Sequence, residues 1–132
     1  MKINSISANL MVKNVNETVA FYKKHFGFEF FLDVPEGDGE KNFAIVKFGK
    51  ILLMFQEERN FKQECPFMKR FSPGDAAFTL YIDVDDVKVL YEKVKGKLKL
   101  VQDLHTTFYG STEFGVFDCN GYVLWFAQQD TN

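Results

Sequence analysis

Residues 9–15 read Asn9-Leu10-Met11-Val12-Lys13-Asn14-Val15, and residues 81–87 read Tyr81-Ile82-Asp83-Val84-Asp85-Asp86-Val87. In both, an alternating apolar run ends in a residue that caps helices. Ile6, Ala8, Leu10 and Val12 share one face of the first run, and Ser7, Asn9 and Met11 share the other. Period two with one apolar face predicts a half-buried strand over residues 3–12. Phe78, Leu80, Ile82 and Val84 repeat the pattern and predict a strand over residues 77–84. Asn14 and Asp86 are N-cap candidates, and Glu17 stands at the capping-box distance from Asn14. Val12 and Val84, Asn14 and Asp86, and Gly49 and Gly121 are each separated by 72 residues. Three landmarks at one offset define an internal repeat.

Working outward, Val15, Val19, Tyr22 and Phe26 recur at helical spacing. Lys23, Lys24 and His25 suit the last turn, and Gly27 is a stop, so a helix is predicted over residues 15–26. Strands follow at 28–34, 42–48 and 51–57, with a loop at 35–39 and a tight Gly49-Lys50 turn. Residues 59–75 lack a clear period, hold Pro66, Pro73 and Gly74, and read as a linker with room for a short helical turn. In the second half a helix is predicted over 87–94, stopped by Gly96. Strands follow at 98–101, 113–118 and 122–128, with Asn120-Gly121 as a hairpin turn. Each half reads βαβββ. The expected fold is α+β, with module 1 at about 1–57, a linker at 58–75 and module 2 at 76–132.

The chain has 132 residues, 46% apolar and 26% charged, with 16 Phe, 5 Tyr and 1 Trp. So many aromatics in one small domain suggest an aromatic-lined core or pocket. A net charge of −2 argues against a nucleic-acid face, which needs a Lys/Arg surplus. No run reaches the length of a membrane span, and the N-terminus lacks the apolar region of a signal peptide. Cys65 and Cys119 fit no metal spacing and read as free thiols of a cytoplasmic protein.

The repeat, with the Val19-Ala20-Phe21-Tyr22 and Phe26-Gly27-Phe28 runs of the first half, resembles the vicinal oxygen chelate superfamily. So do Tyr109-Gly110, Glu113-Phe114-Gly115-Val116 and Asp118-Cys119-Asn120-Gly121 of the second. That superfamily includes glyoxalase I, bleomycin-resistance proteins, fosfomycin-resistance enzymes and extradiol dioxygenases. The last run resembles the family's Asp-Pro-Asp-Gly turn, with Cys119 in the proline position. The resemblance implies two curved sheets closing a cup with helices outside, and a homodimer.

Metal-dependent members of the family place a His or Glu on each of four strands. Carried onto this chain, those positions are Ser7, Leu53, Thr79 and Trp125. None offers the imidazole, carboxylate or thiolate that such ions take. A one-residue shift gives Ala8, Leu52, Phe78 and Leu124, which are no better. The expectation is therefore a chain with no metal and no cofactor, closest to the bleomycin-resistance branch, where a dimer sequesters a small molecule without chemistry.

Strand parity sorts the side chains. One face (Ile6, Ala8, Leu10, Val12, Phe78, Leu80, Ile82, Leu124, Phe126) is expected beneath the helices. The other mixes aromatics with polar groups, as ligand pockets do. From it, Asn9, Phe55, Thr79, Tyr81 and Trp125 are the expected ligand-binding residues. A second reading of the same residues is that the aromatics simply fill the cup. His105, expected in a loop, and Glu113, expected near the mouth, are further candidates as an acid/base group and as a partner for a cationic ligand. Against each stands a solvated surface group. His25 reads as a complement to the helix dipole, Glu36, Asp38 and Glu40 as a solvated acidic loop, and Cys119 as a turn residue without a base. Phe61, Phe67, Met68 and Phe71 of the linker need cover, at the cup mouth or in a dimer interface. The alternatives to sequestration are a glyoxalase-, lyase- or dioxygenase-type enzyme with unusual ligands, and a ligandless structural or regulatory dimer.

Overall fold

Caps and apolar stripes place the helices where the sequence puts them. In the computed structural model, which describes residues 1–36 and 40–130 (backbone only at 35, 36 and 40), α1 is Val15–Phe26 and α3 is Val87–Val94. The Asn14 side chain accepts the Glu17 N–H at 2.9 Å, and Asp86 does the same for Val89 at 3.2 Å. Gly27 closes α1 at φ 76°, a left-handed conformation that costs glycine little. The acidic loop of Glu36, Asp38 and Glu40 lies outside the residues and side chains described.

The strands are β1 (Asn9–Val12), β2 (Glu29–Glu36), β3 (Glu40–Phe48), β4 (Ile51–Glu57), β5 (Leu80–Asp83), β6 (Leu100–Thr106), β7 (Ser111–Phe117) and β8 (Val123–Gln129). They form two open four-stranded sheets of identical topology, β1-β4-β3-β2 and β5-β8-β7-β6. The first pair of each is parallel and the others antiparallel. The fold is α+β, and the repeated connectivity is that of tandem βαβββ modules. Residues 1–74 form one compact unit and residues 75–132 the other.

Each helix packs on one face of its own sheet. In the first unit Tyr22 of α1 meets Phe55 of β4 with ring centroids 4.9 Å apart, over fully buried Ala44 and Val46. In the second, Tyr91 of α3 sits edge-on to Phe114, which stacks on Phe126 at 5.5 Å. Gln128, on the same face of β8, accepts the Val87 N–H at the start of α3. Leu124 and Phe126 are buried there as the parity predicts.

Three expectations need correction. The strands predicted from residues 3 and 77 begin only at Asn9 and Leu80, leaving Ile6 95% and Phe78 56% exposed. In register, residues 3–5 and 77–78 fall beyond the starts of the parallel neighbours at Ile51 and Val123 and have nothing to pair with. The 59–75 segment, expected to be a linker with room for a short helical turn, holds α2 (Glu58–Glu64) and a 3-10 turn at Pro66–Arg70. His105 lies within β6, which runs well past its expected end at residue 101, rather than in a loop. The β7–β8 connection spans residues 118–122 rather than the Asn120-Gly121 pair alone: the Asp118 carboxylate accepts the Asn120 and Tyr122 N–H groups, and the Asp118 N–H bonds back to the Tyr122 carbonyl.

That loop shifts the register of the repeat. The β3–β4 turn does have two residues, Gly49 and Lys50. An alignment anchored on Gly49 and Gly121 therefore crosses hairpin loops of unequal length, and the side-chain parity of β4 flips relative to β8. Asn9 is opposite Met54, whereas its repeat partner Tyr81 is opposite Trp125. Met54, not Leu53, is the counterpart of Trp125, and Phe55 is the counterpart of Phe126. Among the described residues, no helix is long and apolar enough to cross a membrane.

Candidate functional site

The face of the second sheet opposite α3 is built by alternate residues of β5, β8 and β7. Tyr81 is opposite Trp125, Trp125 is opposite Gly115, and Glu113 is opposite both Ala127 and His105. Gly115 fits its place because of close approach, not backbone conformation. A Cβ there would sit 2.9 Å from the Trp125 ring, so the half-buried indole rests on the bare backbone of β7. His105 packs edge-on against that indole, centroids 6.5 Å apart. Its Nδ1 donates to the Asp103 carbonyl at 2.8 Å, which fixes the ring.

Glu113 is the centre of this face and is only 4% exposed. Its Oε2 accepts the Tyr81 hydroxyl at 2.5 Å and the Ser111 hydroxyl at 2.7 Å. The Tyr109 hydroxyl reaches both carboxylate oxygens at 3.0 Å. Ser111 is itself fully buried and bonded to Thr107 Oγ1 at 2.9 Å, across the turn that carries Tyr109. Gln129 Nε2 reaches the Tyr81 oxygen at 3.4 Å. Burial pushes the Glu113 carboxyl up. The hydroxyls of Tyr81, Ser111 and Tyr109, with the nearby His105, outweigh it and hold the group below the ordinary carboxylate range. The same hydrogen bonds push the phenols of Tyr81 and Tyr109 up, so both keep their protons.

The expected ligand-binding residues are not all assembled here. Tyr81 and Trp125 are adjacent. Thr79 is exposed one residue before β5. Asn9 belongs to the first unit, where its amide donates to Gln56 at 2.9 Å. Gln56 in turn donates to Asn60 and Glu64 of α2. Phe55 lies on the opposite face from the one expected, fully buried under α1 against Tyr22, because the repeat alignment that set its parity crosses hairpin loops of unequal length. Tyr109, Ser111 and Gly115 were not singled out individually as site residues by sequence reasoning. The usable signal was spacing: Tyr109 and Ser111 stand four and two residues before Glu113, and strand parity puts Ser111 on its face.

The remaining candidates stand apart from this face. His25 ends α1 against Phe21, with centroids 4.7 Å apart. Cys65 and Cys119 are both exposed and neither is in a disulfide. In the 3-10 turn, Phe67 is exposed with the Arg70 guanidinium 4.1 Å from its ring centroid.

A profile of the glyoxalase/bleomycin resistance protein/dioxygenase superfamily matches residues 2–126. The chain belongs to that superfamily. No curated protein is a significant match. Among solved structures, TnmS3, described as an antibiotic binding protein from Streptomyces sp. CB03234, superposes with a TM-score of 0.75 at 19% identity, covering 98% of this chain and 99% of its own. TioX from Micromonospora sp. ML1 superposes at 0.75, with 19% identity and 96% and 98% coverage. A glyoxalase/bleomycin resistance protein/dioxygenase family enzyme from Burkholderia phytofirmans PsJN superposes at 0.77, with 19% identity and 93% and 96% coverage. At such identities the likeness is one of fold.

Metal-dependent members of the glyoxalase superfamily need four donors, and this chain does not supply them. With the register corrected, the four positions hold Ser7, Met54, Thr79 and Trp125: two hydroxyls, a thioether and an indole. None is a ligand that Zn, Ni, Mn or Fe sites are built from. Among the described residues no three His, Cys, Asp or Glu converge.

The lowered carboxyl of Glu113 ties stability to pH. A folded-state pKa below the unfolded value stabilises the fold above the ordinary Glu range, and the contribution is lost as pH falls through that range. Urea denaturation at pH 7 and at steps below pH 5 is expected to show wild type losing stability. Glu113→Gln should be less stable at pH 7 and flatter in acid. Identical acid profiles for the two proteins would contradict the assignment.

Proposed function

We propose that this protein binds a small, partly aromatic molecule without a metal, in the manner of a sequestering protein rather than an enzyme. The observation that carries the reading is the Trp125 indole. It lies on the backbone of Gly115 beside Tyr81, on a sheet face that no helix of its own module covers. A flat ring held on a rigid strand is a stacking platform. The lack of metal donors at the family's four positions favours binding over metal-assisted chemistry. The described activity of TnmS3, an antibiotic binding protein of the same fold, is in keeping with it.

Calorimetric titration with 2-naphthol, a planar neutral probe, is the test. Trp125→Ala is expected to weaken binding about tenfold or more, a loss of roughly 1.4 kcal/mol that is within reach of one stacking ring. Far-UV circular dichroism should be unchanged, since the indole is only half-buried. A variant that binds as well as wild type, or a wild type that does not bind, would contradict the reading.

The reading includes a cytoplasmic homodimer. β2 is an edge strand that presents Phe30, Phe31, Leu32 and Val34, each at least 39% exposed, and such an edge invites cover. Light scattering is expected to give twice the 15.3 kDa chain mass, and a monomer at micromolar concentration would contradict it.

A further inference from the structure

Among the described residues, no lysine or arginine partners the buried charge at Glu113. Its three donors are neutral hydroxyls. The rows of the sheet on either side of it pair Ser111 with Gln129 and Gly115 with Trp125, and contain no positive side chain. Lys99 is spent at the far end of β7, over the Phe117 ring at 5.2 Å. His105, in register with Glu113 on β6, is the one group that adds a favourable attraction. A carboxylate taken out of water normally has a cation beside it, and hydroxyl dipoles make up only part of the loss.

The rings that hold this charge face solution. Tyr81 and Tyr109 are 52% and 56% exposed while their hydroxyls point inward to the same carboxylate oxygen. A phenol that donates to an anion gains electron density on its ring, which strengthens the negative face that attracts cations. Trp125, the best of the aromatic side chains for such contacts, is next to Tyr81 in register. Asp83, two residues along β5 and on the same face by parity, adds a second negative group.

We infer that this face is a receptor for an organic cation: a protonated or quaternary amine seated against Tyr81 and Tyr109 above Glu113, with its apolar part against Trp125. The inference deepens the proposed function and rests on it. It narrows the ligand class from partly aromatic molecules to aromatic or apolar amines.

Three probes of one shape separate the two readings: 2-phenylethylammonium, 2-phenylethanol and 3-phenylpropionate. They are titrated by calorimetry and by quenching of Trp125, the single tryptophan, at physiological salt so that diffuse attraction is screened. The cation is expected to bind about tenfold more tightly than the alcohol, and the carboxylate more weakly than both. Glu113→Gln should reduce the preference for cation over alcohol to about twofold or less. Tyr109→Leu, which removes one exposed ring and one of the hydroxyls on Glu113, should lower cation binding several-fold. Equal binding of cation and alcohol overturns this inference and leaves the aromatic-binding function standing. A preference that survives both substitutions also overturns it. No binding of any probe at millimolar concentration overturns both.

Discussion

One helix can cover one face of a four-stranded sheet and no more. In each module the helix sets a tyrosine, Tyr22 or Tyr91, on the sheet face that carries Phe55, or Phe114 and Phe126, and the opposite face has to be satisfied in another way. The two modules solve this differently. The first places α2 next to its sheet, tied down by the Gln56 amide, which gives both its hydrogens to Asn60 and Glu64. The second has no such element of its own. Its uncovered face is held by side chains bonding to each other within the sheet plane: Tyr81, Ser111 and Tyr109 on Glu113, and an indole laid over a glycine.

The chemistry of that face follows from what its donors are. A carboxylate that accepts three hydroxyls has most of its lone pairs engaged and its charge held in place, so it is a poor ligand for a hard ion and a good source of fixed negative potential. The tyrosines transmit that potential to the surface through exposed rings. The arrangement is preorganised: the β7 backbone fixes the indole, the Thr107–Ser111 turn fixes Tyr109, and the strand pairing fixes Tyr81. Little ordering remains to be done on binding, which is the condition for a small interface to hold a ligand at all.

Much of this was legible in the sequence, and the failures share a cause. Helices α1 and α3 and strand β4 fall on the residues their caps, stripes and turns predict, because those signals are local. The repeat predicts the βαβββ element order of each half, which the two sheets share. What could not be read was the length of the second hairpin loop, set by the Asp118 side chain bonding back to Asn120 and Tyr122. Because of that one feature, a 72-residue alignment misassigns the parity of β4 and places Phe55 in a pocket, whereas it lies in the core. Asn9 was a reasonable polar candidate until it met Gln56, 47 residues away, and no local pattern reports such a pairing. At the site itself Tyr81, Trp125, Glu113 and His105 were each visible as separate candidates. Their convergence was not, since it depends on strand pairing and on β6 extending through His105.

The central claim is that binding needs the aromatic face and not a metal. It is tested most directly by calorimetry of 2-naphthol on protein stripped with chelator, with metal content measured before and after, followed by titration with Zn, Ni, Mn and Fe. The account expects substoichiometric metal throughout and the same affinity before and after stripping. Binding that disappears on chelation and returns with one equivalent of a divalent ion would contradict it, and would mean that the chain holds a metal through residues other than Ser7, Met54, Thr79 and Trp125.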